Sequence, residues 1–151
     1  MTLFTLLKEE HKEAKTTLKQ LVEQDELQQK DTEEICQKLL LHMEMEEKFL
    51  YPVMEGFEDS EELTEEAELE HAEAKKLIKD LSNEKLDHVE CKVKVEMLQL
   101  GIEHHVKEEE EELFPKIKEN LSKEDIDAIG EKMLAYKEKN QGKKRTVAAA
   151  R

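Results

Sequence analysis

Apolar residues recur at intervals of three and four along most of this chain, the pattern of helices that bury one face. Over residues 2–24 the stripe is Leu3, Leu7, Ala14, Leu18 and Leu21 among charged neighbours, which predicts a first helix. Gln24–Lys30 loses the stripe, and Asp31 with Glu34 three residues on has the form of a capping box. A second helix is therefore expected from about 32 to 55, stopping near Gly56. Ser60 or Thr64 starts a third, with Leu63, Ala67, Ala74, Ile78 and Leu81 on one side until Ser82-Asn83 breaks the rhythm. The fourth spans about 87–118 through Cys91, Val95, Leu98, Ile102, Leu113 and Ile117. Ser122 then caps a shorter fifth helix with Ile126, Ile129, Met133 and Tyr136 as its apolar face. No segment alternates in the way a half-buried strand must.

Short connections between successive helices favour an all-α fold, an antiparallel up-down-up-down four-helix bundle with a short C-terminal fifth helix. Residues 1–140 are read as one domain. Residues 141–151 carry no stripe and are expected to form a flexible tail.

Four histidines and two glutamates fall into two matching sets. His11 is followed by His42-x-x-x-Glu46 running into Pro52, and His71 by His105-x-x-x-Glu109 running into Pro115. Residues 10–21 (EHKEAKTTLKQL) and 70–81 (EHAEAKKLIKDL) agree at Glu, His, Glu, Ala, Lys, Lys and Leu. HMEMEEKFLYP (42–52) and HVKEEEEELFP (105–115) share His, two Glu, Leu and Pro, with Tyr51 against Phe114. The chain contains an internal repeat.

What repeats is a set of metal-ligand types. His and Glu four apart on a helix present an imidazole and a carboxylate to one partner. His11 and His71 each replace an apolar residue within a stripe, so all four imidazoles point inward. At about 1.5 Å per residue, His11 lies roughly 20 Å before the first turn and His42 roughly 17 Å after it. The two meet at one level, and His42 and His71 match in the same way. His105 sits about 10 Å further from its turn than His71, so either the 82–90 segment is mostly loop or the fourth helix overhangs.

Buried together with nothing between them, these groups would be costly. Six inward donors with two carboxylates able to bridge suit a pair of ions about 3.5–4 Å apart. His11 and His42 would hold one ion and His71 and His105 the other, bridged by Glu46 and Glu109. Imidazole and carboxylate donors without thiolate favour iron over manganese or zinc. Taken singly each His is an ordinary core or boundary residue, but two ordered copies are not explained by solvated charge. A ferritin-like site needs two Glu-x-x-His motifs. Glu68 to His71 supplies one, whereas Lys8, Leu39 and Ile102 stand three before the other histidines.

Composition narrows the partners. A net charge of −15 with 42% charged residues disfavours nucleic acid and anionic membrane, leaving small molecules or cations. Two cysteines, Cys36 and Cys91, form no C-x-x-C, and no signal segment or long apolar run is present. The expectation is a cytoplasmic protein with free, inert thiols. His104 and His88 are read as rim and surface residues, since alignment on Pro115 places His105 in the inward register. Gly101, mid-helix, could leave room for a ligand or a close helix contact. The Glu108–Glu112 run reads as a solvated face around one ligand, and no proton donor stands out behind the site.

Assembled, these residues resemble the hemerythrin-like, HHE cation-binding domain family over roughly residues 1–137. The resemblance implies a four-helix bundle around a non-haem di-iron centre. Its ligands would be His11, His42, Glu46, His71, His105 and Glu109, on two iron ions with a bridging oxo or hydroxo group. The chain departs from oxygen-carrying hemerythrins in having Lys75 one turn after His71, and His105-x3-Glu109 where those have His-x4-Asp. It is more similar to hemerythrin-like domains associated with iron sensing and with repair of damaged iron centres. The implied function is binding, sensing or storing dioxygen or iron, with a small diatomic or peroxide ligand at the metals. The alternative is an enzyme that reduces peroxide or nitric oxide, or donates iron for repair of damaged iron–sulfur centres.

Overall fold

The computed structural model describes residues 2–83 and 85–147. Helix α1 (Leu3–Glu23) starts where Thr2 accepts the Thr5 N–H at 3.2 Å, and it buries Leu3, Leu7, His11, Ala14, Leu18 and Leu21. The second rod is α2 (Gln29–Met45), a π-helical turn π1 (Glu46–Leu50) and α3 (Tyr51–Met54). It begins earlier than the expected residue 32, because the Thr32 N–H closes the first turn on the Gln28 carbonyl at 3.1 Å. Asp31 therefore lies inside the first turn, where its charge favours the positive helix end, and the cap residue Gln28 makes no side-chain bond.

Ser60 does stand at the start of α4 (Glu61–Leu81), but not as a side-chain cap. Its hydroxyl donates back to the Met54 and Phe57 carbonyls at 2.6 and 3.1 Å and ties the α3–α4 connection shut. The fourth rod is α5 (His88–Glu108), π2 (Glu109–Leu113) and α6 (Phe114–Asn120), opened by Asp87, which accepts the Glu90 N–H. Its first turn overhangs, and His88 Nε2 meets the Asp25 carbonyl in the α1–α2 connection at 2.9 Å. Helix α7 (Lys123–Asn140) starts at Ser122, which accepts the Asp125 N–H.

The two π turns have one cause. Proline within a helix has no N–H and presses its ring on the carbonyl four residues back. Ahead of Pro52 and Pro115 the helix widens by one residue, so that the Tyr51 and Phe114 N–H groups bond to the Glu46 and Glu109 carbonyls. The wide turn also changes the facing of side chains. Residues five apart are about 140° apart around a regular α-helix, whereas across π1 Glu46 and Tyr51 come to the same side.

The long helices pack in a ring, α1 on α2, α2 on α4, α4 on α5 and α5 on α1, with α7 laid against α1 and α2. Two apolar clusters fill the interior. One holds Leu3, Leu7, Met45, Leu50, Met54, Leu113, Phe114 and Met133, and the other Ala14, Leu18, Ile35, Leu39, Ile78, Leu98 and Ile102. The six repeated His and Glu residues lie between them as a polar layer. Among the described residues no helix is long and apolar enough to cross a membrane.

Residues 141–147 of the tail make defined contacts. Arg145 exchanges backbone bonds with the Gln37 amide and donates from Nε to Glu44 at 2.6 Å, and Val147 packs on the second apolar cluster. A helical stripe cannot reveal this docking, which rests on the backbone and guanidinium of Arg145 and on one aliphatic side chain. Residues 148–151 lie outside the described residues.

Two glycines make opposite demands. A Cβ on Gly130 would lie 2.6 Å from the Leu3 backbone nitrogen, whereas one on Gly101 meets nothing within 4 Å, so no close helix contact within the chain depends on Gly101. Gly130→Ala should destabilise the protein by about 1–3 kcal/mol, and Gly101→Ala should stabilise it by about 0.5–1 kcal/mol. Urea unfolding midpoints of the two variants check both signs.

Candidate metal centre

Each rod delivers its donors to one level. His11 comes from α1, His42 from α2 with Glu46 opening π1, His71 from α4, and His105 from α5 with Glu109 opening π2. Glu46 and Glu109 are fully buried, and His11, His71 and His105 nearly so. All six residues selected from the repeat converge. His11 Nε2 lies 3.1 Å from Glu109 Oε1, and His42 Nε2 lies 3.3 Å from Glu46 Oε2. On the other side His71 Nε2 is 3.1 Å from Glu46 Oε1 and His105 Nε2 is 3.2 Å from Glu109 Oε2. Both carboxylates thus reach one imidazole on each side. Two donor groups result: His11, His42, Glu46 and Glu109, and Glu46, His71 and His105.

The far nitrogen of every imidazole is also engaged. His42 Nδ1 donates to Glu10 and His105 Nδ1 to Glu70, both at 2.7 Å. His71 Nδ1 donates to Glu47 at 2.8 Å and His11 Nδ1 to Glu110 at 2.7 Å. These four carboxylates repeat as the ligand types do. Glu10 and Glu70 each precede a lone histidine yet serve the histidine of the next rod, and Glu47 and Glu110 each follow an inward glutamate. Sequence reading missed them, although the conserved-in-both-copies pairs Glu10-His11 with Glu70-His71 and Glu46-Glu47 with Glu109-Glu110 were the available signal. Glu110 is accordingly a partner of His11, not part of a merely solvated run. Glu10 and Glu47 are themselves held by Lys137 and Lys75, each at 2.8 Å. Lys75 thus turns toward Glu47 and adds no donor to the centre.

A carboxylate behind a histidine fixes the ring and leaves its other nitrogen free to bind metal. Four buried atoms in the middle have no hydrogen-bond partner: His11 Nε2, His42 Nε2, Glu46 Oε2 and Glu109 Oε1. They belong to one donor group and face one another. Orphaned buried polar atoms cost free energy that a cation among them removes. These residues therefore fit a metal ion.

A family model described as the hemerythrin HHE cation binding domain matches residues 2–117. The chain belongs to the hemerythrin HHE cation-binding family. No curated protein and no solved structure matches it. The matched span ends within α6, so α7, whose Lys137 secures Glu10 in this hemerythrin-family domain, lies beyond it.

The hemerythrin-type layer is not fully symmetric. The Tyr51 hydroxyl lies 3.0 Å from His71 Nε2 and donates toward Glu46 Oε1 at 3.3 Å, whereas the matching Phe114 ring stacks near His11 with centroids 6.2 Å apart. Tyr51 and Phe114, aligned in the repeat, are buried core aromatics that close one end of the layer. The π turn is what brings the Tyr51 hydroxyl to the centre, and burial, reinforced by Glu46 and Glu109, raises its pKa well above 10. His104 lies outside, 61% exposed, between Glu70 and Glu108. A cleft of about 1120 Å³ reaches His42, His71 and His105 past Leu39, Ala74 and Ile78.

Without metal, His42 and His105 hold protons. Burial works against charging His42, but Glu46 and Glu10 raise its pKa well above 6.5, and Glu109, Glu46 and Glu70 outweigh burial in the same way at His105. Burial pushes the Glu46 carboxyl up, and the charge of His42 nonetheless holds it well below 4.5. The stability from the two histidines is complete below pH 6.5 and fades as pH rises through their raised values, while that from Glu46 fades as pH falls through its lowered one. Urea midpoints of the metal-free protein should therefore drop on the alkaline side. Zinc binding should release protons, its affinity rising about tenfold per pH unit for each proton displaced. Calorimetry in buffers of different ionisation enthalpy measures that release, and His104→Ala should leave it unchanged.

Proposed function

We propose that the chain is a non-haem di-iron protein of hemerythrin type, built on an antiparallel up-down-up-down bundle, that binds, senses or stores dioxygen or iron. His11 and His42 hold one iron, His71 and His105 the other, and Glu46 and Glu109 bridge. The observation that carries this reading is the set of four orphaned, mutually facing buried atoms, whose two imidazoles are each backed by a carboxylate on the other nitrogen. Nitrogen and carboxylate donors without thiolate suit iron, ahead of manganese or zinc. Bound iron supplies a redox-active pair with positions open to a small diatomic or peroxide ligand. The chain's own part is to orient the imidazoles through Glu10, Glu47, Glu70 and Glu110, and to admit such a ligand through the cleft. A cytoplasmic setting suits the free thiols of Cys36 and Cys91.

One observation favours the second reading, an enzyme that reduces peroxide or nitric oxide. The Tyr51 hydroxyl is a proton-bearing group within hydrogen-bond reach of the His71 side of the centre. It can hold a proton for a ligand bound there. Delivery of iron to damaged clusters has no comparable support among the residues.

Anaerobically purified protein should contain two irons per chain, and Glu46→Ala with Glu109→Ala should abolish that content; full retention would sink the bridging assignment. A reversible change in the visible spectrum on adding oxygen supports binding or sensing. Steady consumption of peroxide, slowed at least about tenfold in Tyr51→Phe at unchanged iron content, supports the enzyme.

A further inference from the structure

Among the described residues, five large hydrophobic side chains are exposed, and four of them lie on α5: Val89, Val93, Met97 and Leu100, between 48% and 68% exposed. The same helix already buries Val95, Leu98, Ile102 and His105 on its opposite side. Helix α5 is thus apolar on two faces, and only one is used within the chain.

The outer face has a pattern of its own. Glu90, Val93, Met97, Leu100, His104 and Lys107 are all exposed and follow one another at spacings of three, four, three, four and three, the alternation of a two-helix seam. The seam is also palindromic in position. Glu90 and Lys107, Val93 and His104, and Met97 and Leu100 are placed symmetrically about the point between Leu98 and Gln99. A second copy running antiparallel would set Met97 on Leu100, Val93 on His104 and Glu90 on Lys107 at both ends. A parallel copy would set Glu90 on Glu90 and Lys107 on Lys107, which repel. Neither Glu90 nor Lys107 makes an ion pair within the chain among the described residues.

We propose that the outer face of α5 is a self-association surface, on which two copies pair antiparallel across a two-fold axis near Leu98 and Gln99. The seam is roughly 26 Å long at helical rise, closed at each end by an ion pair. Such an isologous contact uses one patch twice. The net charge of −15 on each copy opposes approach, and physiological salt screens that repulsion beyond roughly 8 Å. Gly101, exposed beside the seam, adds no bulk against the partner helix. Of the seam residues only His104 touches the His and Glu layer, through Glu70 at 3.2 Å, so changes at Glu90, Met97 and Lys107 separate association from metal content.

Sedimentation velocity on the iron-loaded full chain at physiological salt should show a dimer that dissociates on dilution. Met97→Glu should leave a monomer with unchanged iron content and circular dichroism. Glu90→Lys or Lys107→Glu alone should weaken association about tenfold or more, and the double reversal should restore it, because it returns opposite charges to each end. A monomer at every concentration overturns the proposal and leaves the stripe to a different partner. A dimer that survives Met97→Glu, or a double reversal that fails to recover, overturns the antiparallel α5 pair.

Discussion

Everything in this molecule is arranged around one constraint: six ionisable side chains must be buried in a layer between two apolar clusters. A charge in such a place is tolerated only when paired; each imidazole here hydrogen-bonds outward to Glu10, Glu47, Glu70 or Glu110 and faces Glu46 or Glu109 on its inner side. The outward partners lie at the protein edge, where Lys75 and Lys137 balance two of them. Charge is thus graded from the centre to solvent. The −15 net charge of the chain is partly the consequence, since six of its acidic groups serve this layer.

The same constraint explains the breaks in helix geometry. An inward glutamate four residues after its histidine suits a regular turn, but the approach to proline does not. The π turns resolve both demands at once, keeping Glu46 and Glu109 inward while Pro52 and Pro115 continue the rods. They also turn Tyr51 and Phe114 toward the layer. Because one copy of the repeat carries a hydroxyl there and the other does not, only one half of the centre has such an oxygen atom, 3.0 Å from His71 Nε2. The repeat thereby acquires a distinct side at His71.

How much of this the sequence displayed follows from the range over which each signal acts. The inward residues His11, His42, Glu46, His71, His105 and Glu109 were legible because the repeat and the four-residue spacing are local. The caps at Asp87 and Ser122 have the same origin, although Asp87 was read only as a boundary. The outer carboxylates were not legible, because Glu10 serves His42 and Glu70 serves His105, each on the next rod, and no spacing along one helix encodes that. Tyr51 closes one end of the layer from within the apolar core, but the reach of its hydroxyl to His71 was not legible because a wheel of 3.6 residues per turn does not apply across π1. The tail was read as free because Arg145 docks by partners roughly a hundred residues away. On α5 the stripe was read once, for the core, although the helix carries a second apolar face.

The balance of protons and metal bears on how such a site can be assembled. In the metal-free chain His42 and His105 take up protons because the carboxylates around them outweigh their burial. Those protons offset the charge of Glu46 and Glu109 in part, so the layer is tolerable before any ion arrives. It is not fully satisfied, since four atoms remain without partners. Unlike a small zinc module, whose folding rests on the ion, the chain also has two apolar clusters that flank the layer. A cation must still displace protons from the imidazoles to enter. Loading is therefore an exchange, favoured as pH rises, in which the ion takes over a role the protons filled poorly.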